Sequence, residues 1–512
     1  MSLLAFDIGS SRCKAALFTA EGKTLAEDVQ TYTPEFPEPS YVEMDAEKFW
    51  DAICRSARTL KEAAARDPVQ ALSISSHGES FVAVGADGAA VAPAILNIDA
   101  RASREAQWLE AEIGRRRLFN ITGLVMHPMF SIPKILWLQR HRPEVTSSAK
   151  RFLNVTAYLL CRLGLPPYID YSLASRFFGF DAQRQCWSEE ILSAAGLKKE
   201  FLPVAVPAGS VAGELASESA SRLGVPAGTK VVVGGHDQAC GALGAGVISP
   251  GLVAASMGTY ECIAAVSDEA RLGDEAFAAS LNCYAHVVPG KYLTLAYFPS
   301  GIMIQWFHDL LFKRAGGSSA DAGNREERVC YDSLESAAPK GPSGLFVMPH
   351  LIGSCTPDFN PRARAAVIGL GHSSDAGQIY KGILEGLACE LAQASDLVAK
   401  AVCDFRDFYV TGGGAHSPLG LKLRAAFTGR RLHVMECEDP VCLGSAILAG
   451  AAAGIYPSIT GGVSQAVRER EVIEPDPVIK ASYAGYGKQY WKLYSAILSL
   501  READNRSEQG ER

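Results

Sequence analysis

Basic excess, paired cysteines and long apolar runs are all missing from this chain of 512 residues. Lysine and arginine number 49 against 56 aspartates and glutamates, a formal net charge of -7. A nucleic-acid partner calls for a basic face, so that class of partner is set aside. The 13 cysteines include no Cys-x-x-Cys pair. Cys161, Cys240, Cys262 and Cys389 stand among apolar neighbours. That suits small buried hydrophobes in a reducing compartment better than zinc ligands or disulfide halves. No apolar stretch has the length of a spanning helix, and the acidic Asp7 arrives before a signal-like region can form. The expected location is the cytoplasm, with no membrane partner. The Walker pattern Gly-x-x-x-x-Gly-Lys-Ser/Thr is absent too, which removes one common phosphate-binding solution.

The composition is otherwise that of an ordinary globular protein, 48% hydrophobic and 21% charged. The length exceeds what one core supports, so at least two domains are expected. The chain carries an internal echo that supports this. Leu3 to Leu17 places apolar residues on both sides of Gly9-Ser10-Ser11, and Leu252 to Val266 does the same around Gly258-Thr259. An offset of 249 superposes Gly9 on Gly258 and Ser10 on Thr259, with further Leu, Ala and Cys coincidences. The pattern reads as two strand–turn–strand hairpins from an ancestral duplication, with chance similarity of two apolar hairpins as the alternative. Such turns expose backbone N–H groups toward one point, a cradle for phosphate oxygens. Two cradles facing each other could hold a polyphosphate from both sides.

Strands are expected at about 3–8, 13–19, 24–32, 70–75 and 80–84, and helices through 100–142. A helix should follow Asp45 as N-cap, with Phe49, Ile53, Ala57 and Leu60 as its apolar stripe. Val231-Val232-Val233 reads as a buried strand ending at Gly234-Gly235-His236-Asp237. In the second half, a long helix from Ser374 to Lys400, a strand at Phe408–Thr411 and a small-residue helix from Pro440 to Ala453 are expected. The domains divide as 1–246 and 247–500, with a hinge in Gly244 to Gly251 and a polar, frayed tail over 501–512.

Several residues fit a chemistry of phosphoryl transfer. Asp7 ends the first strand beside a phosphate cradle, where a carboxylate is tolerated if a cation lies between, so it reads as a Mg²⁺ anchor acting through water; a turn-capping aspartate is the plainer alternative. Lys14, on the return strand, could reach a transferring phosphate, or be a solvated strand lysine. Asp237 lies where a strand gives way to a helix, with glycines that would leave room for substrate; it can accept the proton of an attacking hydroxyl, or cap the helix. His77 and Glu79 follow a strand whose carboxyl end should open on a cleft, with Glu79 suited to sugar hydroxyls. Gly412-Gly413-Gly414-Ala415 would let a flat ring or a phosphate come close.

These motifs resemble the FGGY family of carbohydrate kinases, which includes xylulokinases and glycerol kinases, over about residues 3 to 495. Met129-Phe130-Ser131-Ile132-Pro133-Lys134-Ile135-Leu136-Trp137-Leu138-Gln139-Arg140-His141 is similar to the first family signature, and Ala365 to Leu370 with Gln378 to Gly386 to the second, apart from Gly382. The resemblance implies an α/β fold of two actin-like (ribonuclease-H-like) domains from a duplication, with the active site in the cleft between them. It implies ATP and Mg²⁺ as cofactors, a small sugar or polyol as substrate, Asp237 as general base, and leaves a homodimer open. By motif, Gly9, Ser10, Ser11, Lys14, Gly258 and Thr259 would meet the phosphates. Gly301, Gln305, Gly413, Gly414 and Ala415 would meet the rest of the nucleotide. His77, Gly78, Glu79, Met129, Asp237 and Gln238 would line the substrate site. Gly78 and Met129 stand where glycerol kinases have an arginine and a tyrosine, which is expected to enlarge the site and remove donors. A ketose such as xylulose, or a larger polyol, is favoured over glycerol, although the Met-His pair of xylulokinases is missing too. Glycerol phosphorylation, an actin-like ATPase and a non-catalytic sugar-binding protein are the alternatives.

Overall fold

The computed structural model describes residues 1–312 and 324–510. Its first sheet is built from β1 (Ser2–Ile8), β2 (Arg12–Thr19), β3 (Thr24–Thr31), β4 (Val69–Ser76), β5 (Val211–Glu214) and β6 (Lys230–His236), in the order β5-β6-β4-β1-β2-β3. The second contains β7 (Val253–Met257), β8 (Tyr260–Ser267), β9 (Asn282–Ala285), β10 (Tyr292–Pro299), β11 (Asp407–Thr411), β12 (Arg431–Met435) and β13 (Glu469–Ile473), in the order β9-β10-β8-β7-β11-β12-β13. Five strands of each repeat one topology. β3-β2-β1 is an antiparallel meander continued by parallel β4 and β6. β10-β8-β7 is the same meander continued by parallel β11 and β12. The echo between the halves is therefore a duplication of the whole sheet.

The two hairpins differ by one residue. Ile8 pairs with Cys13 across the first turn, whereas Met257 pairs with Glu261 across the second. The offset of 249 holds along the first strand and slips by one on the return, which turns every side chain to the other face. Cys13 packs with Phe49 and Ile53, while Cys262 joins the core shared by both halves. Their coincidence in sequence is accidental. The counterpart of Cys13 is Glu261, and that of Lys14 is Cys262.

The helices used below are α1 (Glu47–Thr59), α2 (Ser131–His141), α3 (Tyr171–Ser175), α4 (Asp237–Gly244), α5 (Gly301–Phe312), α6 (Ala376–Ala401), α7 (Pro440–Ala453) and α8 (Tyr486–Gly510). The expected stripe of α1 is buried, but Ala46 holds the cap position; Asp45 stands one residue earlier and accepts the Glu47 N–H with its side chain. α6 starts behind Asp375, whose carboxylate accepts the Gln378 N–H. The tail expected to fray continues α8 to Gly510.

α4 and α7 follow the fifth core strand of each half, so they are counterparts. They pack on each other backbone to backbone. A Cβ on Gly244 would lie 1.8 Å from the Pro440 carbonyl oxygen, and one on Gly444 would lie 1.9 Å from that of Cys240. α7 also rests on β1, β4 and β6 of the first sheet. Leu443, Ile447 and Leu448 thus share one core with Leu3, Ala5 and Phe18. The helix belongs by sequence to the second half and by packing to both.

Candidate active site

The carboxyl ends of the central strands gather four acidic residues. Asp7 ends β1, Glu79 follows β4, Asp237 opens α4 directly after β6, and Asp439 caps α7, accepting the Cys442 N–H at 3.1 Å. Asp7 takes only a long hydrogen bond from Ser75 Oγ, 3.4 Å. Burial, then the nearby charges of Asp439 and Asp237, push its pKa up to about 8. Asp237 is raised to about 7, by burial and then by Glu79. Lys14, opposite Asp7 in the hairpin, reaches Asp439 at 3.1 Å. Asp439 had no place among the expected site residues; the duplication points to it, because it stands on α7 where Asp237 stands on α4.

Asp237 is held from two sides. The Gln238 N–H donates to its Oδ1 at 2.6 Å, and His236 Nε2 lies 3.2 Å from the same oxygen. The other His236 nitrogen bonds Tyr284 Oη at 2.8 Å. Burial and then the Arg176 charge hold this imidazole well below its usual pKa, so it is neutral. The expectation that Gly234 and Gly235 make room for substrate does not hold. A Cβ on Gly234 would sit 2.3 Å from the Ile74 carbonyl oxygen, and one on Gly235 2.2 Å from Val287 Cγ1. These glycines let β6 press against β4 and the neighbouring half, and β6 shifts register there.

Glu79 has φ 65, a left-handed conformation uncommon for its residue type and found where a side chain must be aimed. It forms a buried ion pair with Arg176, just after α3. Gly78 adjoins this pair. A Cβ there would meet Arg176 Cβ and Cγ, each at 2.8 Å. The space left by glycine at 78 is therefore filled by an arginine from elsewhere in the chain, and the expected loss of donors does not occur. Asp170 places this arginine by capping α3, its carboxylate accepting the N–H groups of Ser172 and Leu173. His77 lies beneath, its two nitrogens engaged by the Ile8 carbonyl at 2.8 Å and Ser80 Oγ at 2.6 Å. Met129 is half-buried ahead of α2 and Gln238 half-buried at the start of α4. Lys134 on α2 is fully buried and donates to the Leu96 carbonyl at 2.8 Å; burial lowers its pKa to about 7.

Across the molecule, Gly258, Thr259, Gly301, Gln305, Gly413 and Gly414 line one cavity of about 440 Å³. They come from the β7–β8 turn, the start of α5 and the end of β11. Ala415 turns away, buried, with its carbonyl accepting Arg470 Nη2. Of the glycine run only Gly413 is open; a Cβ on Gly412 or Gly414 would strike Met257. Gln305 donates to Asp309 at 2.9 Å. Below the cavity, Glu261 and Arg424 form a fully buried ion pair at 2.7 Å, joined by Ser300 Oγ. No pattern in the sequence signalled that support. Gly9, Ser10, Ser11 and Lys14 stand apart from this cavity on the first hairpin, with Gly9 and Ser11 carbonyls tied to Tyr32.

Among the described residues no three His, Cys, Asp or Glu side chains converge into a metal cage. Mg²⁺ does not need one: it takes one or two carboxylates, waters and substrate phosphates. The half-buried Asp7 carboxylate, crowded by Asp439 and Asp237, fits that role. No helix among the described residues is long and apolar enough to cross a membrane.

The geometry thus describes two duplicated halves, one presenting acidic side chains at its strand ends and the other a glycine-lined cavity. Comparison with known proteins gives that arrangement its family. Models of the N-terminal and C-terminal domains of the FGGY family of carbohydrate kinases match residues 2–244 and 253–453. The chain belongs to this family, and is a phosphotransferase using ATP with Mg²⁺. It is 28% identical over 498 residues to a xylulose kinase of Escherichia coli, covering 97% of this chain and 99% of that one. A gluconokinase of Bacillus subtilis is 26% identical over 458 residues, covering 87% and 86%. The xylulose kinase structure from Lactobacillus acidophilus superposes with a TM-score of 0.86 at 23% identity, covering 97% and 98%. The structure of Plasmodium falciparum glycerol kinase superposes at 0.82 with 17% identity, covering 96% and 98%. These last two show the shared fold.

Proposed function

We propose that this kinase transfers the γ-phosphoryl group of ATP to a hydroxyl of a small neutral sugar, a ketose such as xylulose or a polyol, with Asp237 as general base. The observation that carries the reading is the placement of Asp237. It is a half-buried carboxylate with a pKa raised to about 7, at the mouth of a strand, facing the acidic residues Asp7 and Glu79. A base with a pKa near neutrality takes a proton readily and is substantially ionised at working pH. Thr259 and the N–H groups of the two glycine turns orient the phosphates, and Lys14 adds positive charge beside them. Asp7 would hold Mg²⁺ through water; bound there, the ion supplies charge neutralisation of the phosphates. Orientation and charge stabilisation supply most of the acceleration.

Neutral acceptors are favoured over sugar acids on electrostatic grounds. Lys14 and Arg176 are each already paired with a carboxylate, Asp439 and Glu79, so a carboxylate acceptor would find neither cation spare. Under this reading the protein works in the cytoplasm on small molecules alone, without nucleic acid, and a homodimer is compatible with it.

The test is MgATP-dependent ADP release against ketoses, aldoses, polyols and aldonates from three to seven carbons. The expected result is one strong acceptor among the neutral compounds. An aldonate as best acceptor would overturn the substrate assignment, and ADP release indifferent to any sugar would overturn the kinase reading.

A further inference from the structure

We propose that Arg176 is the specificity-determining residue of the acceptor site, pairing with Glu79 to read two adjacent hydroxyls of the sugar. The inference rests on the kinase reading above and deepens it.

Three observations converge. First, Arg176 packs over Gly78: any side chain at 78 would collide with its Cβ and Cγ at 2.8 Å. The glycine is what admits the guanidinium. Second, the guanidinium is held in one plane. It lies over the rings of Phe130 and Tyr284, 5.1 and 5.5 Å from their centroids, so it cannot swing away without losing both contacts. Third, the ion pair leaves its polar capacity half used. Arg176 Nε and Nη2 both go to Glu79 Oε1. Glu79 Oε2 and Arg176 Nη1 make no hydrogen bond among the described residues. One acceptor oxygen and one donor nitrogen of the same buried pair are thus left for a ligand, close enough to Asp237 for Glu79 and Arg176 both to act on its charge.

A vicinal diol has the matching pattern. One hydroxyl donates to Glu79 Oε2 and its neighbour accepts from Arg176 Nη1. A buried charged pair of this kind penalises an analogue that lacks either hydroxyl, because the protein group is then left unpaired. Because Arg176 already answers the Glu79 charge, the pair selects on hydroxyl geometry and offers a carboxylate no spare cation.

The experiment measures sugar and ATP KM separately for the wild type, Arg176→Met, Arg176→Lys, and the relocation variant Gly78→Arg with Arg176→Gly, which removes the Cβ that a side chain at 78 would strike. The best acceptor and its monodeoxy analogues serve as probes. Arg176→Met is expected to raise the sugar KM at least about tenfold with little change in the ATP KM. Its preference for the intact diol over the deoxy compounds should fall by a similar factor. Lysine should not rescue, because it cannot supply the planar fork. Relocation returns a guanidinium beside Glu79 from position 78, keeping the buried charge paired if the methionine variant fails to fold; it should recover much of the sugar affinity. An unchanged sugar KM in Arg176→Met, or relocation without recovery, would overturn the assignment while the kinase reading stands. A wild type without sugar-dependent turnover would overturn both.

Discussion

The two halves share one strand order and use it for opposite chemistry. At the ends of β1, β4 and β6 the first half presents Asp7, Glu79 and Asp237. At the corresponding ends of β7 and β11 the second half presents Gly258, Thr259 and Gly413 around a cavity. Where the first hairpin carries Lys14, the second carries Cys262. The common sheet supplies backbone geometry; the side chains after each strand decide whether that geometry presents carboxylates or an open glycine-lined cavity. The counterpart aspartates, Asp237 and Asp439, make the contrast sharpest, because one opens its helix beside His236 and the other caps its helix and holds Lys14.

Exchanging charge at these two positions is the strongest way to separate the halves. Asp237→Asn is expected to lower kcat by at least about 10³-fold with the ATP KM nearly unchanged, since a general base is removed and no nucleotide contact is lost. Turnover within tenfold of the wild type would remove Asp237 from that role. The same variant tests the cost of the site. A carboxylate whose folded pKa is raised from its ordinary 3.8 to about 7 favours folding in its protonated form. That stability is fully present below about pH 4 and is lost as pH rises through 7. Asp237→Asn should therefore melt higher than the wild type at pH 8, by about 1–2 kcal/mol, and equally at pH 4. In the wild type, kcat/KM should climb with pH and level off above about 7.

Glycines of the two halves divide in the same way. Gly444→Val places methyl groups into the Cys240 backbone and is expected to destabilise by about 3 kcal/mol, read as a fall in Tm. Gly413→Ala meets open space and should leave Tm within about a degree while weakening ATP binding severalfold. Equal stability losses would undo the distinction between packing and cavity glycines.

The smallest effect is expected at Asp439. Asparagine caps a helix about as well as aspartate, so Asp439→Asn should fold normally while freeing Lys14. A severalfold rise in the ATP KM, non-additive with Lys14→Met, would show the pair acting as a unit. Additive effects would mean that Lys14 works without it.

Much of this was legible in the sequence because it is local. The hairpins, the Val-Val-Val strand before Asp237, and the span of α7 all announce themselves through short-range periodicity and turn residues. The one-residue slip between the hairpins was not, since alanines and cysteines match at either offset and only cross-strand pairing fixes the register. Arg176 was visible as a residue but not as an occupant of the site: it stands 97 positions from Glu79, and a glycine gives no sign of what fills its place. Gly234 and Gly235 misled for the same reason, because a missing side chain makes room for a ligand or for the protein itself, and only packing tells which.

The contact of Gly244 with Gly444 also has a mechanical meaning. Two bare backbones in contact form a fulcrum, and each helix extends from it as a lever tipped by an aspartate. Seven residues at a rise of about 1.5 Å place Asp237 roughly 10 Å from the fulcrum. A roll of about 10° would sweep its carboxylate through about 2 Å, enough to make or break a hydrogen bond. A rotation too small to alter the outline of the protein would thus suffice to make or break the contacts of the Asp237 carboxylate.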